Sequence, residues 1–243
     1  RSYSTSTRFP VAKSIQYNEA NDTAGFDANE PVVFRNSFIH LPAISKWFTT
    51  SSTDTQFCYH ELKTAYLSQH GDAIVPLELT RTSLDPQNAT FERFNAPLSL
   101  LLAHIMGPPT PSSRLYLAQH SLADLPSTLQ ADLPTPTLLS RLGRGDIYAS
   151  SLWMGRPPTR TPLHRDPNPN LFVQLAGRKF VRLMRPEVGR GVYEKIGRGA
   201  RANMRGEEMM GGDEMEELER SVWEDDGEES VGVEAELGSG DAL

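Results

Sequence analysis

Apolar and polar positions alternate most clearly over SRLYLAQHSL (113–122), where Leu115 and Leu117 fall to one side and Tyr116 and Ala118 to the other. That period of two predicts a half-buried strand. TQFCYHEL (55–62) and AIVPLELT (73–80) carry β-branched and aromatic residues in partial alternation and predict two more strands. IYASSLWMG (147–155) predicts another, and NLFVQLAGRKFVRLM (170–184) predicts two strands around a tight turn at AGRK. Helical patterns are fewer. EPVVFRNSFIHLPAISKWF (30–48) opens with a short apolar strand, Val32 to Phe34, and continues into a short helix with Ile44, Trp47 and Phe48 on one face. APLSLLLAHIM (96–106) reads as a buried helix that stops at the breaker GPPTP. PSTLQADLPTPTLLSRLGRGD (126–146) is a proline-punctuated connection with one helical turn.

About seven short strands separated by Pro and Gly turns predict a mainly β sandwich or barrel with a few helices near the front. Residues 1–28 read as a polar tail and 29–197 as the folded body. Residues 198–236 read as an acidic, low-complexity insertion, and 237–243 as a turn leading into a further strand.

Charge sharpens that division. Residues 1–206 hold 23 Lys and Arg against 16 Asp and Glu, whereas residues 207–243 hold Arg220 alone against 15 acids. The acidic stretch has too little apolar surface to offset the cost of ordering. It reads either as a solvated spacer, with a short helix possible around Met209 to Val222, or as an acidic segment that docks a basic partner. No apolar run approaches the roughly 18 residues a membrane span requires, and no membrane partner is expected. No motif signals nucleic-acid binding. A single cysteine, Cys58, forms no internal disulfide and fits a reducing compartment. The opening RSYSTSTRFPVAK has basic and hydroxyl residues and no acid before Glu19, which suits either a mitochondrial targeting remnant or an ordinary tail.

The chemistry concentrates in TPLHRDPNPN (161–170). In an extended strand, residues two apart share a face, so His164 and Asp166 present an imidazole and a carboxylate side by side. These are two of the three ligands of a 2-His-1-carboxylate triad, which holds Fe(II) on one side and leaves positions open. With 6 His and 13 Asp in the chain, chance supplies about 0.3 such pairs, so the spacing alone favours an Asx-type turn.

The surrounding stretch WMGRPPTRTPLHRDPNPNLFVQLAGRKFVRL resembles the JmjC family of Fe(II)- and 2-oxoglutarate-dependent oxygenases, and is most similar to its small protein hydroxylases. EPVVFRNSFIHLPAISKW, VPLEL and RLYLAQHSLADLP extend the resemblance over roughly residues 30 to 195. It implies a double-stranded β-helix (jelly roll, cupin-like) fold with N-terminal helices. It also implies an Fe(II) and 2-oxoglutarate site and a protein or peptide substrate that is hydroxylated rather than demethylated.

Residue by residue, His164 and Asp166 match the first two iron ligands. Thr161 matches the hydroxyl that bonds the co-substrate carboxylate, and Lys179 the lysine that pairs with its far carboxylate. Tyr116 and Asn170 match polar groups lining that pocket, and Trp153 an aromatic residue of a neighbouring strand. The family's second histidine follows a G-D turn. Here GSGDAL resembles that turn, and the histidine would fall roughly eight residues past Leu243. The chain is therefore expected to be a fragment of an oxygenase, inactive or nearly so by itself. A non-catalytic JmjC-like interaction module, or a metal-binding cupin with other chemistry, is the competing expectation. The family resemblance points to the nucleus or cytoplasm, and the N-terminal composition to mitochondria.

Overall fold

The computed structural model describes residues 8–17, 27, 29–54, 57–81, 90–142, 145–196, 213–224 and 230–243. Residues 1–7, on which the targeting reading chiefly rests, and 198–212 of the acidic segment lie outside them.

The first sheet has four strands in the order β6-β5-β7-β8: β5 (Ile74–Arg81), β6 (Thr90–Pro97), β7 (Ser113–Ser121) and β8 (Ser151–Gly155), each pair antiparallel. The alternation in 113–122 behaves as expected, with Leu115 and Leu117 buried and Tyr116 on the other face. Those leucines meet Val75 and Leu77 of β5 in a cluster closed by helix α3 (Leu98–Met106), through Leu101 and Leu102, and by Trp47. Trp47 ends helix α1 (Pro42–Trp47), whose Ala43 and Ile44 are also buried. The register slips between Leu117 and His120, where Gln119 takes φ +52°. This bulge turns His120 inward.

A buried carboxylate ties three helices together. Asp132, fully buried, follows helix α4 (Ser127–Ala131). It accepts from Lys46 Nζ (2.6 Å), Trp47 Nε1 (2.8 Å) and the Tyr66 hydroxyl (2.5 Å) of helix α2 (Thr64–Leu67). Burial alone would raise its pKa, but the hydrogen bonds from Lys46, Tyr66 and Trp47 outweigh it and hold the carboxyl below its ordinary value. Between α1 and α2 a hairpin forms from β3 (Phe48–Asp54) and β4 (Phe57–Leu62).

The second sheet is assembled from distant parts of the chain. Strand β9 (Lys179–Met184) pairs antiparallel with β10 (Gly232–Leu237). Residues 8–12 run alongside β10, with Ala12 N–H donating to Glu234 O at 2.8 Å and Glu234 N–H to Pro10 O at 2.9 Å. Next, β1 (Lys13–Ile15) pairs parallel with β2 (Val32–Phe34). Phe34 and Ala242 exchange backbone bonds, and Leu243 and Phe172 do the same. Leu175 packs against both the first cluster and the one built on Phe34, Phe38 and Leu138, and so joins the two sheets. The result is the mainly β, cupin-like architecture that the sequence predicts.

Three local expectations change. The segment expected to be a tail supplies β1 and the buried Phe9, Ala12 and Tyr17. Its polar composition hides a strand held by backbone bonds to residues 32–34 and 234. NLFVQLAGRKFVRLM does not close on itself as a hairpin. Gly177, at φ +75°, makes the turn, but residues 172–174 pair with 240–243 and β9 pairs with β10. The acidic segment forms the helix allowed there, α6 (Asp213–Trp223), after helix α5 (Pro186–Ile196), but β10 already begins at Gly232, ahead of the boundary expected at 236.

Candidate functional site

The loop 156–170 leaves β8 and carries both expected metal ligands. Its start is fixed by Arg156, whose Nη2 donates to Ile105 O (2.7 Å) and to Gly107 O at the end of α3. Prolines 157, 158, 162, 167 and 169 keep it out of any ladder, so His164 and Asp166 do not sit on a strand as expected. Their side chains meet all the same. His164 Nδ1 lies 2.9 Å from Pro162 O, an acceptor that draws a ring proton to Nδ1, so in the neutral ring Nε2 presents the lone pair. Asn170 Nδ2 donates to Asp166 Oδ2 at 2.6 Å, which leaves Oδ1 unclaimed. Nε2 and Oδ1 then face each other at 3.6 Å.

Two acceptors pointing at one another repel, and a cation between them turns that repulsion into two bonds. Metal–ligand bonds of about 2.0–2.2 Å place adjacent ligands of one ion about 3 Å apart, a small side-chain adjustment away. Tying the far atom of each ligand to a carbonyl or an amide is how metal sites fix ring tautomer and carboxylate orientation. The pair suits a borderline or hard divalent ion such as Fe(II). Among the described residues no group of three His, Cys, Asp or Glu converges on a common point.

The remaining expected residues fall into separate places. Lys179 opens β9 and is partly buried, with Nζ 4.9 Å from the centre of the Phe172 ring. Burial lowers its pKa, and among the described residues no carboxylate pairs with it. A half-buried ammonium resting on an aromatic face is a ready site for an anion. Tyr116 lies opposite Glu78, and burial, aided by that carboxylate, pushes its phenol up to about 12, so at neutral pH it acts as a hydrogen-bond donor. Its ring is 6.1 Å from that of Trp153, which is 40% exposed. Gly155 is required here, because a Cβ would collide with the Tyr116 ring. Thr161 is exposed, and among the described residues no hydrogen bond joins it or Lys179 to His164 or Asp166. Asn170, expected in the co-substrate pocket, is instead spent on Asp166.

Sequence reasoning passed over several residues that shape this region. Arg156 anchors the loop but reads in sequence as one more surface arginine. Asp241 was noticed only as part of a G-D turn. In the structure it is buried and accepts from Arg35 (2.8 Å), Asn36 N–H (2.8 Å) and Gly238 N–H (2.9 Å). His60 Nδ1 accepts from Gly177 N–H at 3.2 Å, two residues before Lys179. Arg35, His60, Arg178, Glu236 and Asp241 border a cavity of about 330 Å³ that includes none of the seven expected site residues.

The mainly β fold is that of a cupin-like protein, and residues 20–236 match the cupin-like domain family. The chain belongs to that family, in its JmjC branch. It is 32% identical over 158 residues to lysine-specific demethylase JMJ30 of Arabidopsis thaliana, covering 63% of this chain and 32% of that protein. Lysine-specific demethylase 8 of Danio rerio is 40% identical over 80 residues, which are 32% of this chain and 20% of the relative. JmjC domain-containing protein F of Dictyostelium discoideum is 27% identical over 203 residues, 68% of this chain and 42% of the relative. The matched regions thus span under half the length of each relative.

Proposed function

We propose that this chain is the metal- and co-substrate-binding part of an Fe(II)- and 2-oxoglutarate-dependent oxygenase that hydroxylates a protein side chain. The observation that carries the proposal is the facing of His164 Nε2 and Asp166 Oδ1 at 3.6 Å, with the other polar atom of each side chain already engaged. When bound, iron and the keto acid supply oxygen activation. The chain's own residues bind and orient. His164 and Asp166 hold the metal, and Lys179 takes the far carboxylate of the dicarboxylate. Thr161 and the Tyr116 hydroxyl supply donors, and Trp153 walls the pocket. Phe172 beneath Lys179 lowers the local dielectric and strengthens that charge pairing.

The names of the relatives support a second reading, demethylation of a lysine side chain. The two readings share their chemistry. Insertion of oxygen into an N-methyl C–H bond gives a carbinolamine, which loses formaldehyde, whereas insertion into a carbon-attached C–H bond gives a stable alcohol. The site residues above serve either outcome.

Titration of the chain with Mn(II), followed by electron paramagnetic resonance with and without 2-oxoglutarate, tests the proposal. His164→Ala is expected to weaken metal binding at least tenfold, since even an outer-shell partner of a ligand is worth about 10- to 100-fold. Lys179→Ala is expected to abolish the effect of 2-oxoglutarate while leaving Mn(II) binding in place. Mn(II) binding indifferent to His164→Ala would sink the metal reading and favour an interaction module. Mn(II) binding that responds to 2-oxoglutarate equally with and without Lys179 would favour a cupin with other chemistry. With two ligands on the chain, conversion of 2-oxoglutarate to succinate is expected near background.

A further inference from the structure

Helix α6 belongs to the acidic segment, yet its C-terminal half, residues 218–223, is docked on the fold. Leu218 and Val222, one turn apart, are buried, while Glu216, Glu217 and Arg220 are exposed. At its C-terminal end the Arg182 guanidinium of β9 lies between two rings, 4.6 Å from Trp223 and 4.5 Å from Phe9. Arg182 Nε donates to Glu234 Oε2 at 2.7 Å, and Nη1 donates to the carbonyl of Val222, a last-turn acceptor where a cation is favoured. The Arg182 and Glu234 side chains are only 11% and 13% exposed, so this is an interior clamp. Further along the helix, Glu219 Oε2 lies 3.5 Å from Arg160 Nη1. Arg160 directly precedes Thr161 and stands four residues before His164. Helix α6 therefore touches both β9, which begins at Lys179, and the loop that carries His164 and Asp166.

We infer that α6 is a strut that holds the His164–Asp166 loop in a set position relative to the Lys179 strand, with Glu219 and Arg182 as positioning residues. The inference rests on the reading of His164, Asp166 and Lys179 given above. Glu219 acts through Arg160, and Arg182 acts through the end of the helix. An inserted segment of this kind would set how far apart metal and anion subsites lie without touching either ligand.

Charge reversal on the full chain tests it, with Glu219→Arg, Arg160→Glu and the double exchange, each followed by hydrogen exchange of residues 159–166 and by Mn(II) affinity. Each single reversal is expected to speed exchange of that loop and weaken Mn(II) binding by about two- to fivefold, the range of a partly exposed ion pair. The double exchange is expected to restore both, with the melting temperature unchanged throughout. Arg182→Met is expected to raise exchange in 216–224 and in 159–166 together. Loop exchange unaffected by both reversals, or not restored by the double exchange, would overturn the strut. If the unaltered chain binds no Mn(II), the oxygenase reading fails, while the exchange measurements still decide whether α6 braces the loop.

Discussion

The two sheets of this protein are held together in different ways. The first is a set of antiparallel ladders whose strands lie within residues 74–155, backed by helices that converge on one buried carboxylate. The second collects short pieces from residues 8–15, 32–34, 172–184 and 230–243, and its central junctions are backbone bonds between residues some two hundred positions apart. Apolar burial with a polar lock holds the first region, and backbone pairing closed by Asp241 holds the second. The candidate site borrows from both. Tyr116 and Trp153 come from the first sheet, Lys179 from the second, and the loop carrying His164 and Asp166 lies between them in the chain.

The largest expected break falls on the first region. Asp132→Ala leaves Lys46, Trp47 and Tyr66 without their common acceptor and should cost about 3–4 kcal/mol, chiefly from the Trp47 and Tyr66 donors left unsatisfied, since half-exposed Lys46 returns to water. Urea denaturation measures it, and a loss below 1 kcal/mol would show that the lock is dispensable. Next comes the second region. Asp241→Ala strands Arg35 and the amides of Asn36 and Gly238, for an expected loss of about 2–3 kcal/mol. It should open residues 172–174 and 240–243 to hydrogen exchange while β5 and β7 stay protected. Uniform deprotection would erase the distinction between the sheets.

A smaller effect comes from acid. Burial lowers the pKa of His120, against an opposing pull from Asp124, and burial also lowers those of His60 and His104. A histidine with a depressed folded pKa leaves the unfolded chain binding more protons. Its stability contribution is complete above the ordinary value of 6.5 and is lost as pH falls below it. Melting temperature should therefore drop on going below that pH, and His120→Leu should flatten the decline. A slope unaltered by that change would move the effect to His60 and His104. The least effect is expected at the edge. Arg81 and Glu92 form an exposed pair between β5 and β6, and Arg81→Ala should shift stability by less than about 1 kcal/mol.

What was legible in the sequence follows the same division. Strands β5, β7 and β8 and helix α3 announce themselves because each buries a periodic face against near neighbours. Strand β6 was passed over because an edge strand tolerates Glu92, Arg93 and Asn95 in place of a clean apolar alternation. Strands β1 and β10 were missed because their order comes from pairing with remote segments, which leaves no local period to detect. At the site, the spacing of His164 and Asp166 singles out two side chains that do approach each other, at 3.6 Å, but for a reason that does not apply. They meet through Pro162 O and Asn170, not through a strand's pleat. The Arg182 clamp and the Arg160–Glu219 contact had no signal at all, since a cation's partners depend on where the chain returns.

The bonds joining Ala12 to Glu234 and Phe34 to Ala242 also set an order of events during synthesis. Strands β5 to β8 and the Asp132 lock are complete once residue 155 has emerged from the ribosome. Strands β1 and β2 pair with each other, but their links to residues 234 and 242 wait for a segment synthesised much later. Until then Ala12 and Val33 lack Ala235 and Leu237, two of the neighbours that bury them, and the nascent chain carries an open sheet edge.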